Sequence, residues 1–231
     1  MDIKVIGSGS KGNCYVISDG FSDIMLDCGL PYKTILKAIG FAPGKINACL
    51  VTHSHGDHVK GARDLMRFTG IKVYMSEKEQ HAAGLTCRCA VHGKAFGIGT
   101  FKILPFSVHH DTPEPLGYCV KSLKTDEKLL YFTDTYYIDY RIPNLTHIIC
   151  ECNYSKSILQ RNTESGRVHG ALSQRLLSSH MSLEHLIEFF RKNDISGLKQ
   201  VWLCHLSDIN SDEQLFKREI QKVTGAEVYV C

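Results

Sequence analysis

The 231-residue sequence lacks the features that mark membrane and secreted proteins. No stretch approaches the roughly 18 consecutive apolar residues that indicate a transmembrane helix. Residues 1–5 offer neither the basic head nor the long apolar run of a signal peptide. We therefore expect no membrane partner. Ten cysteines in such a chain predict reduced thiols in the cytoplasm rather than a disulfide framework.

The chain also lacks low-complexity segments, internal repeats and linkers rich in proline, glycine or serine, and it contains only six prolines. Its composition, 43% hydrophobic and 22% charged, is that of a folded domain, and its length allows a sizeable core. We therefore predict a single domain over residues 1–231. The net charge of +3 is too small to identify a nucleic-acid-binding protein, so charge does not decide the substrate.

One short motif is dense in metal-binding residue types. The motif, residues 52–58, reads Thr-His-Ser-His-Gly-Asp-His and supplies the candidate ligands His53, His55, Asp57 and His58. The apolar, β-prone run 48–52 leads into it, and helical periodicity predicts a helix over residues 59–69 after it. The motif therefore occupies a strand-to-helix loop. Such a loop can direct its first two histidines to one metal ion and its last two ligands to a second.

Two cations need further ligands, and three other strand-like segments are followed by suitable residues. The candidates are one of the adjacent His109 and His110 for the first metal, Asp134 as a bridge to both, and His205 for the second. Imidazole and carboxylate ligands together suit zinc, and they also accept manganese or iron because carboxylates are hard donors. The sequence therefore predicts two divalent metal ions held by seven side chains.

In this order, the seven residues resemble the ligand pattern of the metallo-β-lactamase fold superfamily. Segments 8–13, 26–30, 151–153 and 179–182 are similar to its YycJ/WalJ-like branch. The resemblance implies an α/β fold, a four-layer αβ/βα sandwich with two mostly antiparallel sheets flanked by helices. It also implies a metal-dependent hydrolase, namely a phosphodiesterase that acts on nucleic acid as a DNA exonuclease.

The same resemblance implies roles for single residues. It selects His110 rather than His109 as a ligand, because the family pattern has histidine directly before aspartate. It places His180 at the cleft, where this side chain would contact the scissile phosphate or protonate the leaving oxygen. Asp27 is expected to orient a ligand histidine, and Glu151 to act in the same way.

Our hypothesis for the mechanism is attack by a hydroxide that bridges the two metal ions. Bound cations lower the pKa of water from 15.7 toward about 7, so hydroxide is available near neutral pH. In-line attack builds negative charge on the phosphate, which the cations stabilise. Asp57 would orient the hydroxide, and His180 would act as the acid for the leaving group.

Several residues near the expected cleft bear on the substrate. Lys11 and Met181 depart from the branch pattern, which has serine and leucine there, so the substrate preference stays open. Lys60, Arg63 and Arg67 recur near one helical face directly after the motif and could hold a phosphate backbone, but a solvated outer face also explains Lys60 and Arg67.

Other functions also remain open. Thioester, lactone or small phosphodiester hydrolysis uses the same ligand set. A β-lactamase is disfavoured because Asp134 adds a bridging carboxylate, and a flavin-linked di-iron oxygen reductase because His55 stands where glutamate is expected. A binding protein without catalysis is disfavoured by the intact ligand set, and failure to bind metal would favour it again. DNA or RNA preference, cleavage polarity and oligomeric state do not follow from the sequence.

A second cluster of possible ligands comprises His81, Cys87, Cys89 and His92. Its Cys-x-Cys spacing is poor for a zinc knuckle, which prefers at least two intervening residues. An additional structural zinc is therefore not part of the predicted site.

Overall fold

The computed structural model describes residues 1–231 and divides the chain into two compact units. Unit 1 comprises Met1–Ser107 and Thr112–Tyr131, and unit 2 comprises Val108–Asp111 and Phe132–Cys231. The strands belong to two mixed sheets, of six and seven strands. None of the helices is both long enough and apolar enough to cross a bilayer. The prediction of a single domain over residues 1–231 stays a prediction.

Ten strands and four helices belong to unit 1, apart from the last residue of the tenth strand. The strands are β1 (Asp2–Gly7), β2 (Cys14–Ser18), β3 (Asp23–Leu26), β4 (Ile46–Leu50), β5 (Lys72–Met75), β6 (Arg88–Cys89), β7 (Phe96–Ile98), β8 (Phe101–Ser107), β9 (Leu116–Ser122) and β10 (Lys128–Phe132). The helices are α1 (Tyr32–Ala38), α2 (Gly56–Val59), α3 (Ala62–Thr69) and α4 (Glu77–Ala83), with a 3₁₀ turn at Pro43–Lys45.

Strand pairing in unit 1 explains where the motif lies. Strands β1 to β3 pair antiparallel, whereas β3, β4, β5 and β6 pair parallel in that order. Leu26 of β3 pairs with Leu50 of β4, and the Asp27 amide donates to the Leu50 carbonyl at 2.8 Å. Because parallel strands end at the same edge of a sheet, Asp27 and the motif emerge side by side.

The predicted helix over residues 59–69 is wrong as one element, because it is divided into α2 and α3. The division falls at Gly61, whose amide donates to the Cys28 carbonyl at 2.8 Å. A Cβ atom at Gly61 would lie 2.8 Å from the Leu30 carbonyl oxygen, so only glycine permits this approach. The close contact seats α3 against the turn that follows β3.

Unit 2 contains three strands and four helices. They are β11 (His147–Glu151), α5 (Lys156–Glu164), α6 (Gly170–Ser179), α7 (Leu183–Lys192), β12 (Gln200–Cys204), α8 (Glu213–Thr224) and β13 (Glu227–Val230). All three strands pair parallel, and every residue of β11 is buried, as expected of a strand covered on both faces. Glu151 pairs with Cys204, so Glu151 and His205 stand at the same end of their strands.

These elements confirm the α/β class. The sheets are mixed, and parallel pairs are more frequent than the expected "mostly antiparallel" pattern implies. Strands β7 to β10 pair antiparallel, whereas β11 to β13 pair parallel.

Candidate functional site

The motif of unit 1 brings its four candidate ligands together. His53 and His58 are buried, and His55 is the N-cap of α2. The ring centroid of His53 lies 4.8 Å from that of His55 and 4.1 Å from that of His58. The Asp57 carboxylate stands 3.5 Å from Nε2 of His58. A single loop therefore presents three imidazoles and a carboxylate within a few ångströms.

Asp27 fixes the orientation of His58. The fully buried Asp27 carboxylate accepts hydrogen bonds from His58 Nδ1 at 2.9 Å, from the Thr52 amide at 2.7 Å and from the Tyr131 hydroxyl. The proton of the His58 ring is therefore on Nδ1, and Nε2 carries the lone pair that a metal requires. The Asn13 amide Nδ2, a donor only, lies 3.1 Å from this Nε2, which agrees with that tautomer. Asp27 thus makes the contact expected of it.

Thr52 fixes the tautomer of His53 in the same way. The Thr52 hydroxyl lies 3.1 Å from both Asp27 oxygens and 3.0 Å from Nδ1 of His53. Because the hydroxyl donates its one hydrogen to the carboxylate, it accepts from Nδ1 of His53. The lone pair of His53 is therefore on Nε2 as well.

The backbone of the motif is held by residues from three other segments. The Asn13 amide donates to the Asp57 carbonyl at 2.7 Å. A Cβ atom at Gly29 would lie 1.7 Å from that same carbonyl oxygen, so no side chain fits there. The buried Glu79 on α4 accepts from the Ser54 amide at 2.8 Å. Sequence reasoning missed Glu79, because a carboxylate on a short polar helix carries no local signal of this contact.

Unit 2 contains its own group of possible metal ligands. The ligand atoms of Asp134, Glu151, His180 and His205 all lie within 4.8 Å of one another. The rings of His180 and His205 are stacked with centroids 5.4 Å apart, and Asp134 Oδ1 lies 3.1 Å from His205 Nδ1. The His110 ring lies 5.8 Å from that of His180. We call these five residues the unit 2 cluster.

Glu151 organises the unit 2 cluster. Its Oε1 lies 2.6 Å from His180 Nδ1 and 3.0 Å from His205 Nδ1, and its Oε2 accepts from the Thr135 and Met181 amides. The proton of His205 is therefore on Nδ1 and its lone pair on Nε2, as in His58. Glu151 was expected to orient a histidine, and it contacts two.

Charge is concentrated around His180. Burial by itself lowers the pKa of His180, but the neighbouring Glu151 and Asp134 carboxylates outweigh it and raise this pKa to about 10. Burial likewise opposes ionisation of Glu151, but His180 and the hydrogen bond from His205 hold its pKa below the usual range. The two carboxylates therefore favour the protonated form of the His180 ring.

His110 and His109 face different surroundings. His110 Nδ1 lies 3.3 Å from the Ser179 carbonyl, to which it donates, and burial lowers the pKa of this ring. His109 instead reaches Asp139 at 2.5 Å on the exposed surface. The choice of His110 as the ligand stays a prediction.

A left-handed backbone is adopted by Asp27 beside the unit 1 motif and by Asp134 and His205 of the unit 2 cluster. Their φ angles are 53° for Asp27, 51° for Asp134 and 54° for His205. This conformation is uncommon outside glycine and concentrates at functional sites, where surrounding structure holds it. Each of the three follows a strand end, so the turn aims its side chain toward its cluster.

The donor chemistry of both clusters fits divalent metal ions. Imidazoles whose lone pairs are set on Nε2 by outer carboxylates, accompanied by further carboxylates, are the ligands that zinc and related ions take. His81, Cys87, Cys89 and His92, by contrast, form no group with converging ligand atoms. His92 Nδ1 accepts from the Ser107 amide at 3.0 Å instead.

Comparison with known proteins finds relatives in the family that the ligand pattern resembles. The sequence profile described as "Metallo-beta-lactamase superfamily" matches residues 7–86. The chain is 30% identical to "Exodeoxyribonuclease WalJ" of Streptococcus pneumoniae, a match that covers 92% of this chain and 84% of the relative. It is 27% identical to "Exodeoxyribonuclease YycJ" of Bacillus anthracis, with 96% and 89% covered.

A solved structure gives the same fold. The metallo-beta-lactamase fold protein YhfI from Bacillus subtilis superimposes with a TM-score of 0.75 at 17% sequence identity. The match covers 99% of this chain and 95% of that chain. At this identity the likeness concerns the fold alone.

Proposed function

Because the chain belongs to the metallo-β-lactamase superfamily and is a metal-dependent hydrolase, we propose that it is a phosphodiesterase that degrades DNA as an exonuclease. The choice of DNA is supported by its two nearly full-length relatives, both of which carry the name exodeoxyribonuclease. The choice of phosphodiester chemistry is supported by a donor set suited to cations that bind phosphate oxygens.

The proposed ligands of two divalent metal ions are His53, His55, Asp57, His58, His110, Asp134 and His205. The observation that carries this assignment is the same contact in both units, a buried carboxylate on Nδ1 of a ligand histidine. Asp27 makes it to His58 and Glu151 makes it to His205. Five imidazoles among seven ligands favour zinc, and the two carboxylates also accommodate manganese or iron.

When bound, such cations supply Lewis acidity, which activates water near neutral pH and stabilises the charge that builds on phosphate. The half-buried Asp57 would orient the attacking water. Glu151 holds His180 through Nδ1, so that Nε2 is the atom that would donate a proton to the leaving oxygen. Asp57 and His180 are therefore the proposed catalytic residues.

The proposal is tested by metal content and substrate choice on one purified sample. Mass spectrometry should find about two metal ions per chain. With added manganese or zinc, the protein should hydrolyse bis(p-nitrophenyl) phosphate and shorten 5′-labelled DNA, but not a thioester. Thioester or lactone turnover with inert phosphodiesters would move the protein to that other hydrolase class, and absence of metal would indicate a binding protein.

We also propose that the protein functions in the cytoplasm. The ten cysteines are all free thiols, and seven of them are buried, where a thiol acts as a small apolar side chain. Thiol titration of the denatured protein, prepared without reductant from cytosol, should find about ten reactive groups per chain. Recovery of few thiols would contradict a reducing compartment.

A further inference from the structure

A groove lies beside the motif, within unit 1. It has a volume of about 720 Å³ and is lined by Pro31, Tyr32, Lys33, Lys60, Asp64 and Phe68. Asp64 and Phe68 are four residues apart on α3, and residues at this spacing share one face of a helix, whereas Lys60 precedes the break at Gly61. Lys60 is also the C-cap of α2 and stands two residues after His58, so the groove starts where the motif ends.

Two aromatic rings line the groove without being buried in it. Phe68 is 59% exposed, and its ring centroid lies 5.5 Å from that of Tyr32 at an angle of 38°. The Arg67 guanidinium stands 5.1 Å from the Phe68 centroid. The Phe68 ring is therefore available to stack on a planar group, whereas the half-buried Tyr32 ring lines the groove and also packs against the core of unit 1.

The groove is more basic than acidic. Lys33, Lys60 and Arg67 are exposed at or beside it, whereas Asp64 is the one carboxylate that lines it. Arg63, which the sequence grouped with these cations, is directed elsewhere, because its guanidinium donates to the Gly84 carbonyl at 2.8 Å. Lys33 and Lys60 line the groove, Arg67 lies beside Phe68, and such cations are suited to phosphate.

We propose that this groove binds the unpaired end of a DNA strand, with bases stacked on Tyr32 and Phe68 and phosphates contacting Lys33 and Lys60. The inference rests on the proposed nuclease function and extends it by naming the surface that holds the strand. Exposed aromatic rings interleaved with lysine and arginine are how proteins bind single strands, because every base has a face to stack. A neutral thioester or lactone would gain nothing from these cations.

The test measures DNA affinity apart from cleavage. The metal-loaded protein is titrated into a fluorescein-labelled, phosphorothioate-linked oligothymidylate, and fluorescence anisotropy is followed. Phe68→Ala should weaken binding about ten-fold, within the range known for loss of one stacked base, and Tyr32→Ala should act in the same direction. The loss of DNA affinity should exceed any loss of bis(p-nitrophenyl) phosphate turnover.

Phe21→Ala is the matched control. Phe21 is 69% exposed and carries the Lys124 ammonium 5.7 Å from its centroid, so it reproduces the exposed ring with a cation but lies outside the groove. This variant should bind DNA as the unmodified protein does. Melting temperatures of all variants verify that each remains folded.

The outcomes separate this inference from the proposed function. If the unmodified protein binds and shortens DNA but Phe68→Ala and Phe21→Ala behave alike, the groove assignment falls and the nuclease assignment stands. If the unmodified protein neither binds nor shortens DNA, both fall. If sedimentation shows a dimer that Phe68→Ala converts to a monomer, the groove holds a second copy of this chain and the inference is overturned.

Discussion

The candidate ligands of unit 1 lie within six consecutive residues, whereas those of unit 2 come from three separate segments. Both groups nevertheless contain the same contact, a buried carboxylate that accepts a hydrogen bond from Nδ1 of a ligand histidine. The carboxylates differ in their other partners. Asp27 is surrounded by neutral donors of Thr52 and Tyr131, whereas Glu151 also holds the charged His180.

This difference predicts different roles for the unit 1 motif and the unit 2 cluster. The unit 1 motif orients imidazoles through a carboxylate whose other partners are neutral donors. The unit 2 cluster orients an imidazole and also raises the pKa of the His180 ring next to it. We therefore expect variants in unit 1 to affect metal binding first, and variants in unit 2 to affect metal binding and proton transfer.

The largest effect is expected from loss of a ligand in the unit 1 motif. Asp57→Ala or His58→Ala should remove one of the two metal ions and lower phosphodiester hydrolysis by more than the roughly 100-fold that loss of an outer partner causes. Metal content by mass spectrometry and turnover of bis(p-nitrophenyl) phosphate measure both. His109→Ala is the control, because that exposed histidine is paired with Asp139. A His58→Ala protein with two metals and full activity would refute the assignment.

The next effect separates proton transfer from metal binding in unit 2. His180→Gln should lower cleavage of DNA by about 10² to 10⁴-fold, because the leaving alkoxide needs a proton. Hydrolysis of bis(p-nitrophenyl) phosphate should fall far less, since p-nitrophenolate departs without one. Single-turnover rates on the two substrates measure this ratio. Equal losses on both substrates would indicate that His180 only supports the cluster and does not act as an acid.

A smaller effect is expected when each of the two outer carboxylates, Asp27 and Glu151, is replaced by its amide. Asp27→Asn and Glu151→Gln should each weaken metal affinity by about 10 to 100-fold, the usual result of losing such a partner. Only Glu151→Gln should also change the ratio of DNA to bis(p-nitrophenyl) phosphate hydrolysis, because only Glu151 holds His180. Competition with a chelator gives the affinities. A changed ratio in Asp27→Asn would remove the distinction between the clusters.

The same comparison explains what the sequence could predict. The motif and its preceding strand could be predicted because the ligands are local and residues 48–51 form a continuous apolar run. His110, Asp134 and His205 were found only as residues after strand ends, and their choice depended on a family resemblance. Their convergence depends on strand pairing and on left-handed turns at Asp134 and His205, which side-chain periodicity does not encode.

Two elements escaped prediction for identifiable reasons. The break between α2 and α3 results from the approach of Gly61 to the Leu30 carbonyl, a tertiary contact that leaves no local pattern. Helix α5 was missed because Leu159 is its one buried residue, so its apolar periodicity is too weak to detect. Contacts that join distant segments are what single-sequence reasoning cannot supply.

The smallest effect concerns a buried carboxylate of unit 1 that faces no histidine. Asp19 accepts hydrogen bonds from the Phe21 and Ser22 amides at 3.0 and 2.9 Å. It also accepts from the Thr100 and Ser122 hydroxyls at 2.7 and 2.6 Å. Burial opposes ionisation, but these donors, led by Ser122, lower the pKa of Asp19 to about 2. Asp19 is therefore a structural counterpart of Asp27.

Asp19→Asn should lower the free energy of unfolding by about 1 kcal/mol at pH 7, after allowance for solvent screening, and leave metal content unchanged. Because the pKa is lower in the folded protein than in the unfolded chain, this contribution is present above about pH 4 and is lost as the pH falls toward 2. Urea unfolding at pH 7 and pH 3 measures it, with the exposed Asp126→Asn as control. If Asp19→Asn released metal as Asp27→Asn does, general weakening of unit 1, and not the contact to Nδ1, would explain both.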